Sequence, residues 1–308
     1  MNPSRSVEQL QIGSRIDGLP WTINVVTFEG APGPSTAVIG GMYGDKAMSC
    51  LAVHELASHL TNDEDLMGTV LLIPAVNLPA LETGTRINPD HHALNRRFPG
   101  SKRGFLTDQF AYALLDYLKG KADCIVDLHS GTPTMGLWYT YDFGNPELSA
   151  SFGYLPVVEG HHSAGQLGLA TSEYGIDLIL PEVGGGRRTS LGPAVAGATN
   201  VLKYRGHLPG KATGPKTVPH IRDRRLSLAS VTGAYETEIS THQIGDVIDP
   251  GVVAWITNVN TGERLEEFVV EEPGAVLLMT VEGPSMIRPG DFTLMVGYPD
   301  REIEVPNH

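Results

Sequence analysis

Two residues with acid–base or metal-binding side chains lie at the ends of apolar runs that predict buried strands. His129 follows the run CIVDL, and Glu182 follows the run ILP. A neutral imidazole is a common metal ligand, and Asp127 could orient it; the alternative is a core histidine bonded to the backbone. A glutamate among apolar residues has its charged form disfavoured, which suits a general acid or base; the alternative is an ion pair with Arg187.

A long polar loop, TRINPDHHALNRRFPG, carries groups that could bind a carboxylate. The guanidinium groups of Arg86 and Arg96 can hold a carboxylate in fork geometry or polarise a carbonyl, and Asn95 lies beside them. The alternative is that these arginines face solvent. His91 and His92 are adjacent, so they cannot easily point the same way, and one of them could be a metal ligand.

The Gly-rich segment GGMYGDK follows a predicted strand and precedes a predicted helix. It presents Tyr43, Asp45 and Lys46, a poor set for binding zinc. The helix that follows contains HELASH, in which His54 and His59 are five residues apart. The zinc motif HExxH needs an i, i+4 spacing to place both histidines on one helix face, so these two are predicted to be ordinary helix residues.

Alternating strand and helix patterns in the first two thirds of the chain predict an α/β fold. Strands are predicted at residues 21–28, 36–40, 69–75, 124–129, 137–141 and 177–181. Helices are predicted at residues 47–60, 107–118, 162–174 and 190–204. Several of the strands are continuous apolar runs, which favours a mixed, largely parallel sheet flanked by helices on both faces. In such sheets ligands bind at the carboxyl ends of the strands, where the residues above are expected.

The composition changes after an α/β domain at residues 1–207. Residues 208–220 contain Pro, Gly and Lys and predict a linker. Beyond them, short strand patterns are separated by turn signals such as DPG, NTG and RPGD. These patterns predict a smaller all-β domain at residues 221–308.

The acidic composition disfavours several classes of partner. The chain has 22 Lys and Arg against 35 Asp and Glu, a net charge of −13. This balance disfavours binding to nucleic acid or anionic membranes, and an anionic substrate would need locally placed arginines. Cys50 and Cys124 lie in apolar runs and are predicted to be buried thiols in a reducing compartment. The sequence shows no signal peptide and no membrane-spanning run, so we expect a cytoplasmic protein.

The order of these motifs resembles the succinylglutamate desuccinylase/aspartoacylase family of the zinc carboxypeptidase superfamily. The resemblance rests on GGMYGDK, LNRRFPG, DLHSG, PEVGGG and the tail VEGPSMIRPGDFTLMVG. It implies a carboxypeptidase-like α/β domain with a C-terminal barrel-like domain. It also implies zinc-dependent hydrolysis of the amide bond in a small N-acylated amino acid. From the acidic composition we expect no nucleic-acid or membrane partner. Assembly into a homo-oligomer stays open.

The resemblance also implies a role for individual residues. His129 takes the position of the last zinc ligand of the family, and Glu182 that of the carboxylate that activates the metal-bound water. Arg86 matches the arginine that polarises the scissile carbonyl. Asn95 and Arg96 match the pair that grips the substrate carboxylate.

Two of the three zinc ligands of the family are replaced in this chain. Tyr43 and Lys46 stand where the family has His and Glu, and Ala93 replaces the Asp of the family's DLNR loop. His129 alone cannot hold zinc, which needs three protein ligands. We therefore predict that the ammonium group of Lys46 occupies the place of the metal charge, close to His129 and Glu182.

Three functions remain open from the sequence. With a metal, a rebuilt site would use Tyr43, Asp45, His129 and one of His91 or His92. Without a metal, Lys46 and Tyr43 could polarise or protonate the substrate with Glu182 as base, in hydrolysis, elimination or Schiff-base chemistry. The third possibility is a pseudoenzyme that binds a small carboxylate ligand and does not transform it.

Overall fold

Helices cover both faces of a large β-sheet in the computed structural model, which describes residues 3–61, 63–160 and 163–306. The strands are β1 (Ser4–Ile12), β2 (Trp21–Glu29), β3 (Ala31–Ile39), β4 (Met67–Ile73), β5 (Cys124–Asp127), β6 (Met135–Asp142), β7 (Val157–Glu159), β8 (Asp177–Gly185), β9 (Thr217–Leu228), β10 (Gly233–Thr237), β11 (Val247–Ile248), β12 (Gly251–Thr257), β13 (Arg264–Val270), β14 (Ala275–Val281), β15 (Ser285–Ile287) and β16 (Phe292–Glu304). The helices are α1 (Ala47–Leu60), α2 (Leu78–Thr83), α3 (Leu106–Leu118), α4 (Pro146–Ala150), α5 (Leu167–Ser172) and α6 (Gly192–Tyr204). Leu94–Arg96 and Thr241–Gln243 form 3₁₀ turns.

Residues of the central strands alternate between two apolar cores on opposite faces of the sheet. In β3, Ala37 and Ile39 share a core with α3 and α5, whereas Val38 shares a core with α1 and α6. Every residue of β5 is buried. Successive side chains of a strand point to opposite faces, so a sheet covered on both faces requires the continuous apolar runs seen in the sequence.

The large sheet is mixed, and it is less parallel than the sequence predicted. Over the described residues its strand order is β1-β2-β4-β3-β5-β8-β6-β7-β9-β16-β14-β11. Parallel pairs join β3 to β4 and β5, β5 to β8, and β7 to β6 and β9. The other neighbours in this order are antiparallel. The α/β prediction is therefore confirmed, while the parallel character is limited to the interior of the sheet.

Most predicted elements lie where the sequence placed them, but one helix is shorter than predicted, and β1, β7, α2 and α4 were not predicted. The predicted helix at 162–174 is shorter, because α5 covers Leu167–Ser172; position 162 lies outside the described residues. Gly165 has a positive φ of 77° and contacts Arg96, so the segment before α5 turns instead of continuing as helix. Strand β1 is absent from the prediction because its sequence is mostly polar, as suits an edge strand. No helix in the described ranges is long and apolar enough to cross a membrane.

The C-terminal part is rich in β-strands and extends the large sheet. Strand β9 begins at Thr217, so the last four residues of the segment predicted as a linker (residues 208–220) belong to this strand. Strand β14 pairs with both β16 and β6, and Met279 lies opposite Leu137 across that second pairing. A smaller sheet has the order β13-β12-β10-β15. The domain division at residue 207 and the closure of the C-terminal part into a barrel stay predictions.

Three parallel strands bring sequence-distant loops to one edge of the sheet. Strands β3, β5 and β8 are neighbours in the sheet, and Ile39 at the end of β3 is paired with Asp127 at the end of β5. The residues that follow these strands therefore emerge together. Gly44 allows the loop after β3 to pack on α2, since a Cβ at this position would lie 1.8 Å from the carbonyl oxygen of Ala80.

Candidate active site

A cavity of about 280 Å³ lies at the carboxyl ends of β3 and β5 and beside β8. The residues that the sequence associates with catalysis or carboxylate binding line it: Tyr43, Lys46, Arg86, Asn95, Arg96, His129 and Glu182. Ligand pockets measure roughly 300–1,000 Å³, so the cavity suits a ligand of amino-acid size. The structure brings these side chains together, while their individual roles stay predictions.

A buried ion pair joins Lys46 and Glu182 in this cavity. Lys46 Nζ lies 3.1 Å from Glu182 Oε2, and both residues are buried. Lys46 is also the N-cap residue of α1. The positive end of a helix dipole and the loss of hydration both disfavour a cation at this position, so the carboxylate is needed to stabilise it.

His129 lies between two carboxylates. Its Nδ1 atom is 3.3 Å from Glu182 Oε1, and its Nε2 atom is 3.2 Å from Asp127 Oδ2. Neither ring nitrogen makes a hydrogen bond of good geometry to a described residue, so we describe both contacts as ion pairs. The four side chains therefore form a buried row of alternating charge, in the order Asp127, His129, Glu182, Lys46.

The row of charges shifts the protonation of its central members in opposite directions. Burial would lower the pKa of His129, but the negative charges of Asp127 and Glu182 raise it to about 9. Burial would raise the pKa of Glu182, but the positive charges of Lys46 and His129 lower it to about 2. At neutral pH the free protein therefore holds an imidazolium and a carboxylate side by side.

Tyr43 packs against the row as a neutral phenol. Its ring meets the ring of His129 edge-to-face at a centroid distance of 5.4 Å, and Arg86 lies 4.2 Å from the Tyr43 ring centroid. Burial raises the pKa of Tyr43 above its ordinary value, although the charges of Arg86 and Arg96 oppose the shift. The side chain can therefore donate a hydrogen bond to a ligand at neutral pH.

The LNRR segment holds its asparagine and arginine through backbone contacts. Asn95 Oδ1 accepts a hydrogen bond of 2.8 Å from the N–H of Leu167 at the start of α5. Arg96 donates a hydrogen bond of 2.6 Å to the backbone oxygen of Asn95. The amide N–H groups of Asn95 and the remaining N–H groups of Arg96 are thus the donors left for a ligand.

The sequence analysis missed the contribution of the C-terminal strands to this site. Arg224 of β9 lines the cavity and donates a hydrogen bond to the hydroxyl of Tyr141 on β6. Tyr139 lines it as well, and its ring is 4.9 Å from the ring of Tyr141. The run IRDRRLSL, with charged residues inside a strand pattern, is the signal that could have indicated a functional strand here.

One wall of the cavity is apolar. It includes Met135, Leu137, Leu226, Met279, Phe292 and Met295. Several of these residues belong to β9, β14 and β16 of the C-terminal part. The C-terminal strands therefore contribute most of the apolar lining and one arginine, Arg224, to a cavity whose other charged residues belong to the α/β part.

The described residues do not fit the zinc ion that the family resemblance implies. A catalytic zinc site uses three protein ligands and a water. In the part of the chain that the structure describes, no three His, Cys, Asp or Glu side chains are grouped to hold a metal. The ammonium group of Lys46, in contact with Glu182, would also repel a divalent cation.

The rebuilt metal site that the sequence left open is not formed by the described residues. His91 is exposed with a positive φ of 64°, and the ring of His92 packs on Phe105 at 4.9 Å. Neither histidine, nor Asp45, is among the described residues that line the cavity. Tyr43 keeps its proton and is therefore a poor ligand.

Solved structures share this fold over nearly the whole chain. The product-bound ectoine utilization protein EutE (DoeB) from Ruegeria pomeroyi has a TM-score of 0.84 and 27% identity, with 97% of this chain and 96% of that chain covered. A succinylglutamate desuccinylase from Silicibacter sp. TM1040 has a TM-score of 0.83 and 26% identity, with 97% and 96% covered. A succinylglutamate desuccinylase/aspartoacylase from Rhodobacter sphaeroides has a TM-score of 0.83 and 25% identity, with 97% of each chain covered.

Sequence comparison identifies the family. The model of the succinylglutamate desuccinylase/aspartoacylase catalytic domain matches residues 32–208, and this chain belongs to that family. A curated relative, the N-α-acetyl-L-2,4-diaminobutyric acid deacetylase of Halomonas elongata, is 35% identical over 116 residues. That match covers 37% of this chain and spans about a third (34%) of the relative's length.

Proposed function

We propose that this protein is a deacylase-type hydrolase that cleaves the amide bond of a small, carboxylate-bearing N-acylated amino acid without a bound metal. Membership of the family and the deacylase names of its relatives support the reaction type. The observation that carries the metal-free mechanism is the buried contact of 3.1 Å between Lys46 Nζ and Glu182 Oε2 in a cavity that also holds arginines.

Substrate binding would use the cations that line the cavity. The substrate carboxylate would lie against Arg96 and the amide N–H groups of Asn95. The acyl carbonyl would point toward Arg86, whose guanidinium group can stabilise an oxyanion. Because the whole protein has a net charge of −13, these local cations are what would draw an anionic substrate into the cavity.

Glu182 would act as the general base on a water molecule. In the free protein its pKa of about 2 makes it a weak base. A bound substrate carboxylate adds negative charge beside the same cations, which raises the pKa of Glu182 toward the range of a useful base. Exclusion of water by the substrate would act in the same direction.

The proton transfers would run between Glu182 and Lys46. Glu182 takes a proton from the water while the water oxygen adds to the acyl carbon and the carbonyl oxygen becomes an oxyanion beside Arg86. Lys46 gives a proton to the amide nitrogen as the C–N bond breaks. The proton on Glu182 then returns to Lys46 across the 3.1 Å contact, which restores the free protein. The net reaction is amide plus water to carboxylic acid plus amine.

A panel of N-acetylated amino acids, incubated with purified protein in metal-depleted buffer, tests the proposal through release of the free amine. We expect release for at least one member of the panel. We also expect Arg96→Met to raise KM more than it lowers kcat, whereas Arg103→Met on the exposed loop changes neither. Absence of amine release across the panel would overturn hydrolysis, and release that depends on added zinc would overturn the metal-free site.

A second candidate function is ligand binding without turnover. The specific observation in its favour is the low pKa of Glu182, which Lys46 and His129 hold at about 2. If a bound ligand does not raise the pKa of Glu182, the carboxylate stays too weak a base to activate water. Such a protein would show ligand-induced thermal stabilisation with no release of amine. Schiff-base chemistry is less favoured, since Lys46 is engaged in an ion pair with Glu182 and a Schiff base needs a free amine.

A further inference from the structure

Two neighbouring arginines of the LNRR segment have different partners. Arg96 is exposed at the cavity and donates a hydrogen bond of 2.6 Å to the backbone oxygen of Asn95. Arg97 turns to α3 instead, where its Nε and Nη2 atoms lie 2.6 Å and 3.0 Å from the two carboxylate oxygens of Asp108. Because the side chain of Arg96 bonds to its own turn, the place of its guanidinium group depends on where the backbone of that turn lies.

Asp108 is a fixed partner for Arg97. It lies in the first turn of α3, where it accepts a hydrogen bond of 3.0 Å from the N–H of Phe105 and where the helix dipole favours a negative charge. The hydrogen bonds from Arg97 lower the pKa of Asp108, so the pair is charged at neutral pH. A bidentate contact between arginine and carboxylate also fixes the direction of both groups.

The segment that follows the turn packs on the same end of α3. The N–H of Ser101 donates to the backbone oxygen of Asp108 at 3.0 Å. Gly100 has a positive φ of 78°, and a Cβ at this position would lie 2.4 Å from that oxygen. On the other side, the N–H of Phe98 donates to the backbone oxygen of Gly165 at 3.1 Å. The chain therefore lies between α3 and the segment before α5 at this point, and Arg97 joins it to α3 through a side chain.

We propose that the Arg97–Asp108 pair is a positioning device that holds the turn Leu94–Arg96 where Asn95 and Arg96 can bind a substrate carboxylate. Arg97 is not among the described residues that line the cavity, so it acts through its neighbours. The inference rests on the proposed binding of the substrate carboxylate by Asn95 and Arg96.

The exposure of the pair predicts a larger effect on recognition than on stability. The side chain of Arg97 is 34% exposed, and a partly exposed ion pair adds little to the free energy of unfolding. In contrast, misplacement of a binding group by about 1 Å can cost up to about a hundredfold in rate. Loss of the pair should therefore weaken carboxylate binding in a protein that stays folded.

Hydrogen exchange of the free protein tests the hold on the turn without a ligand. Arg97→Met removes the pair, and the amides of residues 94–98 should then exchange about tenfold faster than in the wild-type protein. Asp116→Asn is the matched control, because it breaks the pair of 2.7 Å with Lys119 on the same helix. It should leave the exchange of those amides unchanged. Equal exchange in the wild-type protein and Arg97→Met would overturn the proposal.

Isothermal titration calorimetry tests the effect on recognition. The probes are the N-acetylated amino acid of the panel that the wild-type protein binds most tightly and its neutral carboxamide. The ratio of the two affinities measures recognition of the carboxylate. Arg97→Met should reduce this ratio about tenfold and leave affinity for the carboxamide unchanged, while its melting temperature shifts by less than about 4 °C. An equal loss of affinity for both probes would overturn the proposal, because a purely structural role affects them alike.

The two residues should act as a unit. Asp108→Asn removes the charge of the partner but keeps an oxygen for the N–H of Phe105, and it should reduce the ratio by about as much as Arg97→Met. The double variant should be no worse than either single variant, because all of them remove the same contact. Arg97→Lys keeps the charge without the bidentate geometry and should retain part of the ratio. Additive losses in the double variant would contradict the pair as the cause.

The outcomes separate this inference from the proposed reaction. A carboxylate preference that depends on Arg97, in a protein that releases no amine, would support the positioning role and overturn hydrolysis. Amine release together with a wild-type ratio in Arg97→Met would support hydrolysis and overturn the positioning role. Absence of binding, or equal affinity of the wild-type protein for both probes, would overturn the binding role of Arg96 and this inference with it.

Discussion

Two lysine–glutamate pairs in this protein have the same chemistry and nearly the same geometry but lie in opposite environments. Lys46 and Glu182 are 3.1 Å apart with side chains 4% and 10% exposed, whereas Lys121 and Glu8 are 3.0 Å apart with side chains 47% and 43% exposed. Water screens the charges of the surface pair, so this pair contributes little to the free energy of unfolding. The buried pair has lost that solvation, so each charge depends on the other.

The comparison shows that Lys46 affects the pKa of Glu182 as well as the ability of the site to bind a metal. The surface glutamate has a pKa lowered by hydrogen bonds from Tyr117 and Lys121. The buried one has its pKa lowered to about 2 by Lys46 and His129 against the effect of burial. Lys46 thus supplies a cation whose charge acts on Glu182, the proposed general base.

The largest expected difference between the two pairs is in turnover. Glu182→Gln removes the proposed general base and should lower kcat by about 10²- to 10⁴-fold, the usual contribution of acid–base catalysis. Glu8→Gln, the matched change at the surface, should leave kcat unchanged. The rate of amine release from the best substrate of the panel measures both. A Glu182→Gln protein with wild-type kcat would contradict the role of this carboxylate.

The second largest difference is in stability. Lys46→Met leaves Glu182 buried with His129 as its remaining cation and should lower the free energy of unfolding by about 3–5 kcal/mol. Lys121→Met should cost less than about 1 kcal/mol. Urea unfolding followed by circular dichroism gives both values. The double variant Lys46→Met/Glu182→Met should recover much of the loss; if it is as unstable as the single variant, the buried charge is not the cause.

The pH dependence of the free energy of unfolding should reflect the buried row of charges that contains His129 and Glu182. The pKa of His129 rises from 6.5 to about 9 on folding, so its stabilising contribution is full below pH 6.5 and is lost as the pH rises through 9. The pKa of Glu182 falls from 4.5 to about 2, so its contribution is present above pH 4.5 and is lost as the pH falls through 2. Thermal unfolding from pH 2 to pH 10 should show both losses. His129→Gln should flatten the alkaline limb, while His54→Gln on the exposed face of α1 should not.

The smallest expected effect is that of metal removal. Dialysis against 1,10-phenanthroline should change neither the melting temperature nor the rate of amine release, because the described residues hold no three-ligand group. Tyr43→His/Lys46→Glu introduces the residue types that the family resemblance implies at these two positions and is the positive control. It should bind zinc together with His129, as measured by elemental analysis. Loss of activity in the wild-type protein on chelation would contradict the metal-free site.

Local sequence patterns predicted the elements that position the site but not all of the residues that complete it. Helix α1 runs Ala47–Leu60, the span that the apolar spacing predicts. The loops after β3 and β5 were also predicted, since apolar runs ending in polar residues are visible locally. Arg224 was missed because its place depends on β9 pairing with β7 and β16, contacts between residues far apart in the sequence.

Composition, periodicity and motif order in the sequence determined the α/β class, the family resemblance and the identity of the residues at the changed ligand positions. The sequence also predicted that Lys46 lies close to Glu182, and Lys46 Nζ and Glu182 Oε2 are 3.1 Å apart. Only the tertiary structure decided that His129 lies between two carboxylates and that Arg224 faces the cavity while Arg225 faces outward. The physical reason is that a charge acquires its effect from burial and from its neighbours. Both arise when strands from distant parts of the chain meet at one edge of the sheet.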